Sequence, residues 1–192
     1  VVRFLKEKNQ FENTVIFLLS DNGGAPEAGL RGNFRRSYGD QTSVREMASA
    51  LDELGSATTQ PLYQRPWAMA SVAPFKFYKL WPYRGGVQTP FLVSWPKGIT
   101  RPGLRQQFVD VIDITPTVLD LVGVREPTTF QGVCQIPMQG ASLRQVFADP
   151  NAPSPRDTQY FELWGSRSIY HKGWKAIGIH TPGASFDDDR WE

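Results

Sequence analysis

A chain of 192 residues, 40% hydrophobic and 21% charged, has the bulk and balance of a soluble globular domain with a real core. A formal net charge of +2, with no Lys/Arg run and no basic amphipathic helix, gives no ground for a nucleic-acid or membrane-surface partner. A single cysteine excludes an internal disulfide framework, and no apolar run approaches the length of a transmembrane helix.

Residues 1–9 read as the end of a helix, with no cap and no initiating methionine, and 9–13 as the link into a strand. Together they form the second half of a βαβ crossover. Residues 15–19 are five consecutive large apolar residues without alternation, the pattern of a strand covered on both faces of a parallel sheet. The run stops at Ser20, and Asp21, Asn22, Gly23 and Gly24 follow. Ligands in open α/β sheets gather at the carboxyl ends of strands. A carboxylate and an amide carbonyl there suit a hard, oxygen-seeking cation such as Ca²⁺ or Mg²⁺. The same residues also build ordinary surface turns, so these positions alone leave both readings open.

From 23 to 42 the chain is rich in glycine and arginine without a period and is read as a loop. Ser43 and Glu46 have the spacing of a capping box. Val44, Met47, Ala48, Leu51 and Leu54 then make a core-facing helical stripe, closed by Gly55. Residues 56–90 are proline-rich and irregular, and 91–95 form a second buried strand. Residues 107–112 are a further strand or a lead-in, and Thr115 with Pro116 opens a helix over 117–122 that stops at Gly123. Loops with a weak helical patch at 142–147 come next. Residues 160–164, 166–170 and 174–179 are then short strands, the last two joined by a His-Lys-Gly turn.

Several stretches, in order, resemble the type I sulfatases (arylsulfatases) of the alkaline-phosphatase-like superfamily. Ser20-Asp21-Asn22-Gly23-Gly24 after an apolar strand is similar to the family's second metal-binding motif. Lys79, a few residues before Gly85-Gly86-Val87-Gln88-Thr89-Pro90 and the strand at 91–95, is similar to its sulfate-binding lysine. The segments 50–55, 67–70, 110–117 and 170–175 also match. Arg84 and Gln88 depart from the pattern, which has a glutamate and an arginine at those places.

The resemblance implies an α/β fold: part of an alkaline-phosphatase-like parallel-sheet sandwich over 1–150, the C-terminal part of a catalytic domain. A small antiparallel C-terminal subdomain begins at 151–192. It implies a sulfuric ester hydrolase acting on a small-molecule or sugar sulfate, with Asp21 and Asn22 as ligands of Ca²⁺ (Mg²⁺ as second choice). Lys79 would be both catalytic and substrate-binding. The family's nucleophile is a formylglycine made from a Cys/Ser-x-Pro-x-Arg motif, which this chain lacks. Its aspartate pair, second lysine and two active-site histidines also lie upstream in the family order. The expectation is therefore a C-terminal fragment, inactive alone, whose partner is the missing N-terminal half of the same domain. A phospho- or phosphonate monoester hydrolase of the superfamily is one alternative, but such enzymes carry Asp-His where Asn22 follows Asp21. A non-catalytic binding fragment or paralogue is the other.

Cys134 is expected to be a buried neutral thiol. His171 reads as a hydrogen-bonded turn residue, and His180 belongs to no motif. Phe75, Phe77, Tyr78 and Trp81 are candidates for packing or for the wall of a substrate pocket.

Overall fold

The computed structural model describes residues 1–34 and 42–192, so part of the expected 23–42 loop lies outside the described residues. Two compact units divide the chain: residues 1–17, 93–159 and 170–173 form one, and 18–92, 160–169 and 174–192 the other.

The chain opens with helix α1 (Val2–Glu7) and a 3-10 turn (Phe11–Asn13), then enters strand β1 (Ile16–Leu19). Beyond the loop, helix α2 (Val44–Ser49) begins in the expected capping box, Ser43 N–H donating to Glu46 Oε2 at 2.7 Å and Glu46 N–H to Ser43 Oγ at 3.2 Å. The stripe that follows is not core: Val44, Leu51 and Leu54 are exposed. At Ala50 the backbone leaves the helical region, with φ −111°, and a 3-10 turn (Leu51–Glu53) breaks the register on which the stripe depends. Residues 56–90 are more regular than their prolines suggest. They contain helix α3 (Arg65–Ser71), which accommodates Pro66 in its first turn, and the single turn of helix α4 (Arg84–Val87).

Strand β2 (Phe91–Ser94) pairs with β1. Ser20 N–H donates to Pro90 O at 3.3 Å and Lys97 N–H to Glu12 O at 3.0 Å. One partner advances as the other retreats, so this pair runs antiparallel. A continuous apolar run reports burial and says nothing about a neighbour's direction. Nor is the run covered on both faces among the described residues: Leu18 and Leu92 are 63% and 57% exposed. The mixed α/β architecture, with small antiparallel sheets toward the C-terminal end, is the expected one.

The 110–117 stretch is a packing hub in the first unit, and residues 107–112 are a lead-in rather than a strand. Asp110 Oδ1 accepts from Ile112 N–H at 3.2 Å, and Asp113 Oδ2 accepts from Asp110 N–H at 2.8 Å, forming a 3-10 turn (Val111–Asp113). Helix α5 (Ile114–Val122) continues from it and ends at Gly123 in the left-handed conformation, φ 72°. Because this acidic box starts the helix early, Thr115 lies inside the first turn and caps nothing. Thr117 Oγ1 donates to Asp113 O at 2.5 Å and accepts from Leu143 N–H at 2.9 Å. Asp113, fully buried, also accepts from Ala141 N–H at 2.8 Å and pairs with Arg156. Its charge is thus hydrogen-bonded as well as neutralised, as a buried carboxylate requires.

A short antiparallel hairpin follows, β3 (Thr129–Phe130) and β4 (Val133–Cys134). Both strands are exposed along their length, so Cys134 is exposed rather than buried. Helix α6 (Arg144–Ala148) then buries Val146 and Phe147 beside Leu143, with Phe147 6.4 Å from Phe17 of β1. The C-terminal meander is β5 (Thr158–Leu163), β6 (Ser166–His171) and β7 (Trp174–Gly178), in that spatial order. Its two-residue turns, Trp164-Gly165 (φ 53° and 84°) and Lys172-Gly173 (φ 46° and 94°), have the positive φ pair that matches strand twist in tight hairpins.

Candidate active site

Ser20 follows β1 directly, and its hydroxyl donates to the Asn22 carbonyl at 3.0 Å, closing a tight turn. Asp21 is exposed on this turn and Asn22 is half-buried. The Asn22 amide nitrogen donates to Gly23 O at 2.8 Å. That commits the donor end of the side chain and leaves its acceptor end, a hard oxygen ligand.

The glycines bring distant segments to this turn. Gly23 N–H donates to Gly86 O at 3.2 Å, and Lys79 N–H donates to Gly24 O at 3.1 Å. A Cβ on Gly23 would lie 1.8 Å from Gly85 O, one on Gly85 1.9 Å from Phe77 O, and one on Gly86 2.1 Å from Trp81 O. Backbone therefore stacks directly on backbone where any side chain would separate the layers. Through that stacking Asn22 and Lys79 come to line one cleft of about 430 Å³, with Trp81, Gly86, Val87 and residues 160–163 of β5 among its walls. The volume suits a small organic ligand.

The Lys79 ammonium is ion-paired with Glu27, their side chains 33% and 13% exposed. Glu27 Oε2, the far oxygen of that carboxylate, is buried with no hydrogen bond among the described residues. No sequence signal marks Glu27, which stands in the aperiodic loop. Of the four aromatic candidates only Trp81 lines the cleft. Phe77 stacks behind it at 4.6 Å and packs on Tyr83 and Tyr78, while Phe75 lies 4.4 Å under the Arg84 guanidinium.

Beside the cleft, Arg84 Nε donates to Gln88 Oε1 at 2.8 Å, so the two positions that depart from the family pattern are joined to each other. The Lys175 ammonium sits 4.6 Å over the ring of Phe161, a cleft residue. Burial, and secondarily the Arg84 charge, lowers the Lys175 pKa from 10.5 to about 8.

Neither histidine lines the cleft. His171 Nδ1 is 2.8 Å from Thr158 Oγ1, the turn-residue role expected of it. His180 Nδ1 lies 3.0 Å from Asp189 Oδ1, with the Arg167 guanidinium 2.6 Å from Oδ2 and the Phe186 ring stacked at 4.1 Å. Burial alone would raise the Asp189 pKa. Hydrogen bonds from His180 and Arg167, with their charges, outweigh it and hold the carboxyl below its ordinary value.

Asp21 and Asn22 offer only oxygen donors, which fits a hard divalent cation. Among the described residues no group of three or more His, Cys, Asp or Glu is gathered to hold a metal, so the two fit as part of a larger ligand set.

The sulfatase family pattern matches residues 1–124, and that of the N-sulphoglucosamine sulphohydrolase C-terminal region matches 75–183. An uncharacterized sulfatase of Schizosaccharomyces pombe is 28% identical over the whole chain, which spans 34% of that protein. An arylsulfatase of Klebsiella aerogenes is 29% identical over 74% of the chain and 30% of its own length. The chain thus spans about a third of these relatives. The solved PsFucS1 sulfatase from Pseudoalteromonas superposes on all of the chain and 31% of its own, with a TM-score of 0.55 at 21% identity. A solved protein in complex with its substrate D-glucosamine-2-N,6-O-disulfate superposes on all of the chain and 29% of its own, with a TM-score of 0.53 at 18% identity. These likenesses show a shared fold, and the match over residues 1–124 shows the family. The chain belongs to the sulfatase family.

Proposed function

We propose that this chain supplies part of the active site of a sulfuric ester hydrolase acting on a sulfate monoester, with a sugar sulfate as the substrate class. Asp21 and Asn22 are assigned as ligands of Ca²⁺, with Mg²⁺ second, and Lys79 as the sulfate-binding catalytic residue. The observation that carries this reading is the lining of one cleft by Asn22 and Lys79. The relative solved with a disulfated glucosamine supports the sugar class.

When bound, a hard divalent cation would supply Lewis-acid polarisation of sulfate oxygens. Lys79 sets a compact positive charge in the cleft, neutralising the sulfate and the charge that grows on the leaving oxygen. Glu27 holds that ammonium in place through their ion pair. Trp81, backed by Phe77, gives an apolar face for the ring of the alcohol half. The formylglycine nucleophile is assigned to sequence outside residues 1–192, and these residues alone are proposed not to turn over. Residues 1–150 are assigned to the catalytic domain and 151–192 to the start of a C-terminal subdomain.

The test is the full-length natural protein assayed on an aryl sulfate and on sugar sulfates. Lys79→Ala is expected to lower kcat/KM by about 10²–10³, the scale of one lost charge-stabilising donor. Unchanged turnover would overturn the assignment, and stoichiometric zinc in place of calcium would overturn the metal.

A further inference from the structure

Resting on that reading of the cleft, we propose that Lys76, oriented by Glu192, is a positioning residue for the alcohol half of the ester. It anchors the aromatic stack that holds Trp81 as an apolar face of the cleft. Every link between Glu192 and Trp81 is a direct contact within one compact unit.

The segment that carries Lys79 needs such an anchor. Phe77 and Leu80, on either side of Lys79, have left-handed backbones with φ 59° and 79°. Neither is glycine, and a bulky residue keeps that conformation only where its surroundings hold it. The Phe77 ring stacks on Trp81 at 4.6 Å, packs on Tyr83 at 4.9 Å, and has the Lys76 ammonium 5.6 Å from its centroid.

Lys76 joins this stack to the far end of the chain. Its ammonium lies 4.3 Å from the centroid of the buried Tyr83 ring and donates to the Tyr83 hydroxyl at 3.2 Å. It also donates to both carboxylate oxygens of Glu192, at 3.0 and 3.2 Å. Glu192 is placed by main-chain pairing with β7: its N–H donates to Ile177 O at 2.9 Å, and its carbonyl accepts from Ile177 N–H at 2.8 Å. A carboxylate on paired backbone thus aims a cation at two ring faces, and Phe77 passes that hold to Trp81. With side chains 55% and 58% exposed, the Lys76–Glu192 pair adds little to stability. Its value lies in direction, since a cation over a ring fixes where the ring sits.

The experiment is steady-state kinetics of the full-length natural protein on p-nitrophenyl sulfate, with inorganic sulfate as inhibitor. Trp81→Ala should raise KM and sets the scale. Lys76→Met keeps the stem and removes the charge. It should raise KM about fivefold with kcat nearly unchanged. The inhibition constant of inorganic sulfate should stay as in the parent, because sulfate alone brings no ring to Trp81. Glu192→Gln should raise KM by about twofold, and Lys76→Arg, which keeps a cation over the rings, should restore the parent value. In a Trp81→Ala background Lys76→Met should add nothing. A loss of kcat with KM unmoved, the mark of a smaller folded fraction, would overturn the proposal, as would additive KM effects in the double variant. Should Trp81→Ala raise KM while Lys76→Met does not, only the role of Lys76 falls. A KM indifferent to Trp81→Ala would instead sink the reading of the cleft wall, and the role of Lys76 with it.

Discussion

The Lys79 ammonium is fixed by the Glu27 carboxylate, a residue from an earlier loop of the same compact unit. A lysine on a flexible stem gains directional value only when something holds its head, and Glu27 does so at the expense of part of its positive field. Glu27→Gln in the full-length protein is expected to lower kcat/KM about tenfold, roughly 1.4 kcal/mol. The double variant Glu27→Gln/Lys79→Ala should be no worse than Lys79→Ala alone, because the carboxylate acts only through the ammonium. Additive losses in that cycle would show that Glu27 has a separate task.

Gly23 is the tightest point of contact between the turn that follows β1 and the segment carrying Lys79. An added methyl would lie 1.8 Å from Gly85 O, and backbone cannot rotate away as a side chain can. Gly23→Ala should therefore destabilise the chain by at least the ~1–3 kcal/mol of an overpacked core. Urea unfolding checks it, and a midpoint equal to that of the parent would contradict the stacking.

Asp113 illustrates a different dependence. Its carboxylate is fully buried and pairs with Arg156, whose side chain is 12% exposed. Asp113→Ala leaves that guanidinium without its counter-charge and removes the acceptor for Asp110 and Ala141 N–H groups. The expected cost is ~3–5 kcal/mol in urea unfolding, the scale of a broken buried pair. Asp113→Asn, which keeps the shape and one acceptor, should cost less.

The C-terminal network sets an acid limit. The folded Asp189 carboxyl titrates below its ordinary value, so the unfolded chain takes up that proton first as pH falls. Its stabilising contribution is complete above the ordinary carboxylate pKa of about 3.9 and disappears as pH drops from there through the lower folded value. Thermal midpoints measured from pH 6 down to pH 2 should show the parent above Asp189→Asn at the upper end and the two converging in acid. Parallel curves would mean that Asp189 is not held down by His180 and Arg167.

Much of the local structure was legible because its causes lie within a few residues. The Ser43–Glu46 box, the Gly123 stop, the His-Lys-Gly hairpin turn and strands β1 and β2 each follow from a cap, a left-handed glycine or an apolar run. The ordered likeness that pointed to the sulfatases likewise sits in contiguous stretches, and the family match bears it out. The misreadings share a different cause. Val44, Leu51 and Leu54 of the apolar stripe and the lone thiol of Cys134 read as interior on residue type, yet all four are exposed. Burial depends on what arrives from elsewhere in the chain, and type alone does not carry that.

From residue order alone came the family, the strand ends and the identity of the oxygen and ammonium groups, since covalent spacing and side-chain chemistry are local properties. Only the folded chain revealed that Lys79 meets Glu27 and that β1 and β2 run in opposite directions. Those pairings join segments roughly fifty to eighty residues apart, closed by backbone contacts at Gly23, Gly85 and Gly86 that no short-range pattern encodes.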